Sequence, residues 1–222
     1  QTEADVVAVR QRLPAKDAPV VIAKIETMAG VENAESILSV ADGLMVARGD
    51  LGFSVPMEDL PHIQKELIAL CLHHAKPCIA ATQMMESMTQ NAIPTRAEVT
   101  DVANAILDGT DAVMLSGETA SGKYPIQAVE TMSRIIGSTT EHVEELDYMG
   151  EGDIDEAVAS SVVETANRVE ARAIVAFTES GATARRIARH RPRQLIVALS
   201  PYIRTLRAMN FSWGIEAHLA QR

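Results

Sequence analysis

Four short apolar runs, at residues 20–23, 44–47, 78–81 and 112–115, constrain the fold of this chain more than any other feature. Each is continuous rather than alternating and ends in polar residues, the pattern of a parallel strand buried on both faces. The polar tails are Lys24-Ile25-Glu26, Arg48-Gly49-Asp50, Thr82-Gln83 and Ser116-Gly117-Glu118. Helical patterns lie between the runs. From residue 57 to 75, Leu60, Ile63, Leu67 and Leu70 fall near a 3.6 period, and Thr95 with Glu98 forms a capping box ahead of Val99, Val102 and Ile106. Gly109 stops that helix, Pro125 suits the first turn of another striped by Ile126, Val129, Met132 and Ile136, and residues 3–13 and 30–40 supply two shorter ones.

Repeated βα units with polar groups at every strand exit suit either a TIM barrel or a doubly wound sheet. No Gly-x-Gly-x-x-Gly follows any strand, which weakens the dinucleotide-binding version. A barrel needs eight units and roughly 250 residues, whereas residues 1–146 offer four strands. The fold class expected is therefore α/β: a partial TIM (β/α)8 barrel of four βα units, followed by a small α/β domain. Residues 147–153, acidic and Gly-bearing without apolar period, read as a linker. Residues 154–222 then give a helix bearing Val158, Val162, Val163 and Val169, strands at 173–177 and 195–199, helices from about 182 and near 202–209, and a third strand at 215–219.

A net charge of -10, with no basic run interleaved with aromatics, argues against nucleic acid or an anionic membrane as partner. An anionic substrate would have to be drawn in by local cations or metals. Cys71 and Cys78 lack the companions of a zinc site and read as reduced thiols. No apolar run approaches the ~20 residues of a membrane span and no leader pattern is present, so a cytoplasmic location is expected.

Lys24 and Glu26, two apart on a strand, share a face. Asp50 leaves the next strand as a second carboxylate, and two carboxylates with open coordination positions suit Mg²⁺ or Mn²⁺. A neighbouring lysine can stabilise charge developing on a reacting group. Gly49 leaves backbone N–H groups accessible to a carboxylate or phosphate oxygen. A Lys and a Glu at a strand end often form only a solvated ion pair; the concurrence of polar groups at four successive exits is what favours a site.

The motifs are specific in combination. Val21-Ile22-Ala23-Lys24-Ile25-Glu26 resembles the pyruvate kinase signature around its active-site lysine, and Asp42-Gly43-Leu44-Met45-Val46-Ala47-Arg48-Gly49-Asp50-Leu51-Gly52 resembles the strand and loop that follow it. Residues 76–88, 94–105 and 114–120 continue the resemblance in order and spacing, and it extends over essentially the whole chain. Ala29 departs from the polar or acidic residue that many members carry there. The resemblance implies phosphoryl transfer from phosphoenolpyruvate to ADP, giving pyruvate and ATP in glycolysis. Glu26 and Asp50 would hold Mg²⁺ or Mn²⁺, and Lys24 would neutralise the phosphoryl group in flight. Arg48, Gly49, Asp50 and Thr82 would border the substrate, Thr82 also helping to protonate the enolate, with Ser116 and Glu118 orienting water or Thr82. It further implies a homo-oligomer, tetrameric in the family. The first four barrel strands, the lid domain, the K⁺ ligands and much of the nucleotide site would precede Gln1, and the second domain would be cut short after Arg222. A polypeptide of this extent alone is expected to have little or no kinase activity.

Thr178, Ser180, Gly181 and Thr183 sit between a strand and a helix and resemble the family's sugar-phosphate effector loop, although hydroxyls before a helix are commonly only N-caps and Glu179 would repel an anion. Met84, Met85 and Met88 read as core filler, and His73 and His74 as helix-end cations without chemistry. Two alternatives stay open: a Mg²⁺-dependent aldolase or lyase acting on a pyruvate enolate, and a non-catalytic half-barrel whose strand edges promote association.

Overall fold

The computed structural model describes residues 2–14, 18–146 and 154–220. The chain divides into two compact units, one comprising Gln1–Cys71 and Cys78–Val143, the other Leu72–Pro77 and Glu144–Arg222. The expected linker at 147–153 lies outside the described residues. Among the described residues, no helix is long and apolar enough to cross a membrane.

The first unit runs α1 (Glu3–Arg10), β1 (Ile22–Ile25), α2 (Met28–Glu32), α3 (Ala34–Val40), β2 (Gly43–Ala47), α4 (Arg48–Leu51), α5 (Leu60–His73), β3 (Cys78–Ala81), a 3-10 turn (Glu86–Thr89), α6 (Arg96–Leu107), β4 (Ala112–Met114), α7 (Gly117–Ala120) and α8 (Pro125–Thr140). Its four strands form one sheet in the order β1-β2-β3-β4, every pair parallel. This is the sequential arrangement of four βα units of a barrel. β2 and β3 are buried almost throughout, which explains their unbroken apolar character.

The first strand begins two residues later than its apolar run. Pairing with β2 extends from Ile22 opposite Gly43 to Ile25 opposite Val46, so Lys24 lies within the strand and Glu26 just beyond it. Val21 is held instead by Asp42, whose Oδ2 accepts from Val21 N at 2.8 Å and whose own N–H donates to Val21 O. Asp111 repeats the device before β4: its Oδ2 accepts from Cys78 N at 2.9 Å, and its N–H returns a bond to Cys78 O. The helix expected over 30–40 is two pieces, α2 and α3, meeting at Asn33. α6 starts at the expected box, Thr95 accepting from Glu98 N while Glu98 accepts from Thr95 N, and ends before Gly109, whose φ of 94° only glycine adopts freely. Met84, Met85 and Met88 are fully buried, on the segment after β3 rather than on an α-helix. Cys71 and Cys78 are buried and not joined in a disulfide.

The second unit runs α9 (Ile154–Arg168), β5 (Ala173–Phe177), α10 (Ala182–Ala188), β6 (Leu195–Ser200), α11 (Ile203–Met209) and β7 (Ile215–Leu219), with a parallel sheet in the order β5-β6-β7. Here burial alternates along β5, Ile174 and Ala176 packing inward with Ile187, Ile196, Ala198 and Met209.

Asp111→Ala takes the only side-chain acceptor described for Cys78 N from a buried strand start. It should lower unfolding free energy by about 1–3 kcal/mol, read as a lower urea midpoint at unchanged m-value.

Candidate active site

Parallel pairing brings all four strand exits to one end of the sheet. At the first two, Lys24 Nζ lies 2.5 Å from Glu26 Oε2 and 3.1 Å from Asp50 Oδ2. One cation thus spans two carboxylates that are 24 residues apart in sequence. Glu26 foremost, then Asp50, holds the Lys24 ammonium above its usual pKa through hydrogen bonds. The side chains are 47%, 30% and 61% exposed, so the cluster adds little to stability and is open to an incoming ligand.

The ammonium serves as a stand-in when asking whether a divalent cation suits this place. The oxygens of Glu26 and Asp50 already converge on a single positive centre, and hard oxygen donors are what Mg²⁺ takes. Among the described residues no group of three or more His, Cys, Asp or Glu could hold a metal. Two carboxylates fit an ion that keeps water or substrate oxygens in its other positions.

Arg48 departs from its expected place at the substrate. It is buried, and its guanidinium turns into the protein: Nη1 donates to Asp101 Oδ1 at 2.7 Å and to Gln64 Oε1 at 3.4 Å, while Nη2 donates to Thr82 O at 2.9 Å and Gln83 O at 3.2 Å. Nε adds a 3.3 Å bond to Thr82 O. What these bonds hold is strained, since Thr82 and Gln83 both have positive φ, 68° and 53°. For a β-branched threonine that is a genuine outlier, of the kind that persists only when its surroundings impose it.

The imposed conformation aims the Thr82 hydroxyl at the neighbouring exit. Its Oγ1 accepts from Gly49 N at 2.7 Å and donates to Ala81 O at 2.6 Å. A Cβ at Gly49 would stand 3.3 Å from that oxygen, so the absence of a side chain there lets the two loops meet. Glu118 is likewise turned inward: its carboxylate accepts from Met85 N at 3.1 Å and Ser116 N at 2.8 Å, joining the third exit to the fourth. Lys24, Glu26 and Asp50 are therefore brought together, as are Gly49 and Thr82, while Arg48 and Glu118 are spent on the scaffold. Gln64, Asp101 and Glu98 were not anticipated as part of this neighbourhood. Gln64 could have been noticed as an amide beside the apolar stripe of α5; Asp101 carries no such mark.

Glu98 anchors the far side of the segment after Thr82. It accepts from Ser87 N at 2.8 Å, Ser87 Oγ at 2.5 Å and Thr95 N at 2.7 Å. Burial pushes its pKa up, but donation from Ser87 and Thr95 outweighs burial and holds the carboxyl below its ordinary value.

In the second unit the Thr178 hydroxyl accepts from Gly181 N at 2.9 Å, and Arg185 Nη2 donates to Ser180 O at 3.3 Å, so part of the expected effector loop is spent closing its own turn. Ser180 and Thr183 are exposed. Gly181, at φ 86°, leaves no room for a side chain beside Arg185 and Met209.

Two family models match the chain: the pyruvate kinase barrel domain over residues 1–129 and the pyruvate kinase alpha/beta domain over residues 156–222. A pyruvate kinase of Staphylococcus epidermidis is 47% identical over 219 residues, covering 96% of this chain and 37% of its own length. One from Geobacillus stearothermophilus is 48% identical over 219 residues, covering 95% of this chain and 37% of its own. The crystal structure of a pyruvate kinase from Cryptosporidium parvum superposes with a TM-score of 0.93 at 40% identity, over all of this chain and 49% of that one. The chain thus spans well under half the length of the curated relatives it matches.

Because its folded pKa is lowered, Glu98 contributes stability that is complete above the unfolded carboxylate value, ~4.3, and is lost as pH falls through the folded value. The stability difference between the wild type and Glu98→Gln, followed by urea unfolding, should be largest near neutrality and shrink below about pH 4.3.

Proposed function

The chain belongs to the pyruvate kinase family, and from that premise we propose that the polypeptide containing it transfers a phosphoryl group from phosphoenolpyruvate to ADP, yielding pyruvate and ATP. We take residues 1–146 as the C-terminal half of the catalytic barrel and 154–222 as part of the α/β domain that follows. The observation that carries the reading is the placement of Lys24 Nζ between Glu26 and Asp50.

On this reading Glu26 and Asp50 hold Mg²⁺ or Mn²⁺, which supplies charge neutralisation and a template for oxygens of substrate and phosphoryl group. Lys24 stays at the same corner and offsets charge on the phosphoryl as it leaves, in a reaction whose catalysis is mainly positioning and electrostatics. The backbone N–H of Asp50 receives the substrate carboxylate, that of Gly49 being held by Thr82 Oγ1. Thr82 borders the enolate and relays a proton to it, its hydroxyl turning from Ala81 O to donate to the enolate carbon as it takes a proton from solvent water. Arg48 and Glu118 keep the third and fourth exits in register rather than touching substrate, and Ser116 lies at the last exit. Ser180 and Thr183 remain available to an anionic effector, and a homo-oligomeric assembly follows from the family. Aldol cleavage is disfavoured by the family assignment, and a coupled assay of ADP phosphorylation against cleavage of a 2-keto acid separates the two.

Two measurements test the assignment. Glu26→Gln and Asp50→Asn should each weaken Mn²⁺ binding to the chain by more than about tenfold, because each removes one of two anionic oxygen donors. Lys24→Met should strengthen Mn²⁺ binding, since it deletes a competing cation, and in the complete enzyme should depress phosphoryl transfer by about three orders of magnitude or more while sparing enolpyruvate protonation. Mn²⁺ affinity indifferent to all three substitutions would remove the basis of the proposed metal corner.

A further inference from the structure

We infer that Asp101, assisted by Gln64, is a positioning residue that acts through Arg48 to hold Thr82 in its strained, hydroxyl-presenting conformation. The inference rests on the proposal above that Thr82 borders the reacting enolate, but its physical content is independent of turnover.

A guanidinium is charged at every accessible pH and donates from a rigid planar fork. Arg48 is only 6% exposed, so that charge is costly unless acceptors surround it. The two edges of the fork meet different partners. Nη1 is saturated by Asp101 on α6, at 2.7 Å, and by Gln64 on α5, at 3.4 Å. The Nε and Nη2 edge is left facing Thr82 O and Gln83 O, with Met84 Sδ 2.7 Å from Nη2. Because the fork is planar, fixing one edge fixes the other. Asp101 is also the one anionic partner described for this guanidinium, so it both neutralises Arg48 and sets its rotation about the side-chain axis.

Gln64 orients the arrangement further. Its Oε1 faces Arg48 while its Nε2 donates to Asp108 Oδ2 at 3.2 Å, and Asp108 is itself paired with Lys65. The amide is thereby held from both ends, with oxygen towards the cation. Two helices that flank the strand exit thus converge on one side chain, and that side chain grips the two consecutive residues of positive φ. Remove Asp101, and the guanidinium becomes a buried charge with one neutral acceptor on its Nη1 edge. It will rotate towards water, release the carbonyls of Thr82 and Gln83, and let Thr82 relax to negative φ. The hydroxyl then leaves Gly49 N.

That last bond gives the test, because Gly49 N–H donates to Thr82 Oγ1. Amide hydrogen exchange of Gly49, taken as a ratio to that of Val46 in the adjoining strand, reports opening of the turn separately from global unfolding. Asp101→Ala should raise the ratio by about tenfold or more. Asp101→Asn, which keeps an Oδ1 acceptor, should restore most of the protection. Asp111→Ala, a destabilising change at the opposite strand ends, should accelerate both amides together and leave the ratio unchanged. If Asp101→Ala does not fold, Gln64→Leu carries the same expectation at a smaller amplitude. An unchanged Gly49 to Val46 ratio in the Asp101 variant, or in Gln64→Leu where only that one folds, overturns the inference. Failure of the catalytic reading looks different: Thr82→Val in the complete enzyme would then leave exchange of pyruvate methyl protons with solvent at its original rate, whatever Gly49 does.

Discussion

Parallel pairing is the constraint from which the rest of the first unit follows. A parallel ladder has every strand pointing the same way, so whatever residues follow β1, β2, β3 and β4 are delivered to a common end. Segments distant in sequence, such as those carrying Glu26, Asp50, Thr82 and Glu118, become neighbours without further design. The price of that geometry is a crossover helix for each strand, and the helices then become a second source of site residues, because their polar positions near the strand exits can reach inward. Gln64 and Asp101 do so.

The site has two kinds of polar group with opposite accounts. Lys24, Glu26 and Asp50 are partly exposed, paired with one another, and suited to exchange partners with an arriving ion or substrate. Arg48, Glu118 and Glu98 are each held by hydrogen bonds to protein, which displacing them would break. The first group is chemically available because the second is not. Thr82 stands between them, with a backbone gripped by the fixed set and a hydroxyl that meets the adjacent loop.

Much of this was legible in the chain. Continuous apolar runs located β2 and β3 because burial on both faces removes the alternation that would otherwise mark a strand, and the Thr95–Glu98 box located α6 because it satisfies helix-end donors locally. The extent of β1 was not legible, since its ends are set by register with β2 and by the Asp42 bond to Val21, not by its own hydrophobicity. Local spacing brought Lys24 and Glu26 together, and the order of strands added Asp50. The inward turn of Arg48 could not be read, because its partners lie 16 and 53 residues away and nothing in the Arg-Gly-Asp segment distinguishes a guanidinium facing solvent from one facing its own protein. The bonds that Glu118 accepts from Met85 N and Ser116 N could not be read either, because a carboxylate at a strand exit looks the same whether or not backbone N–H groups reach it.

The left-handed backbone at Thr82 and Gln83 bears on any attempt to improve this protein by ranking substitutions on conformational ease. Glycine or asparagine would sit more comfortably at both positions, and a stability screen would favour them. At position 82 such a gain would delete the hydroxyl that accepts from Gly49 N, turning a tougher scaffold into one with a silent loop. Threonine there marks a place where side-chain chemistry outranks backbone preference, and thermostabilising libraries should leave it untouched.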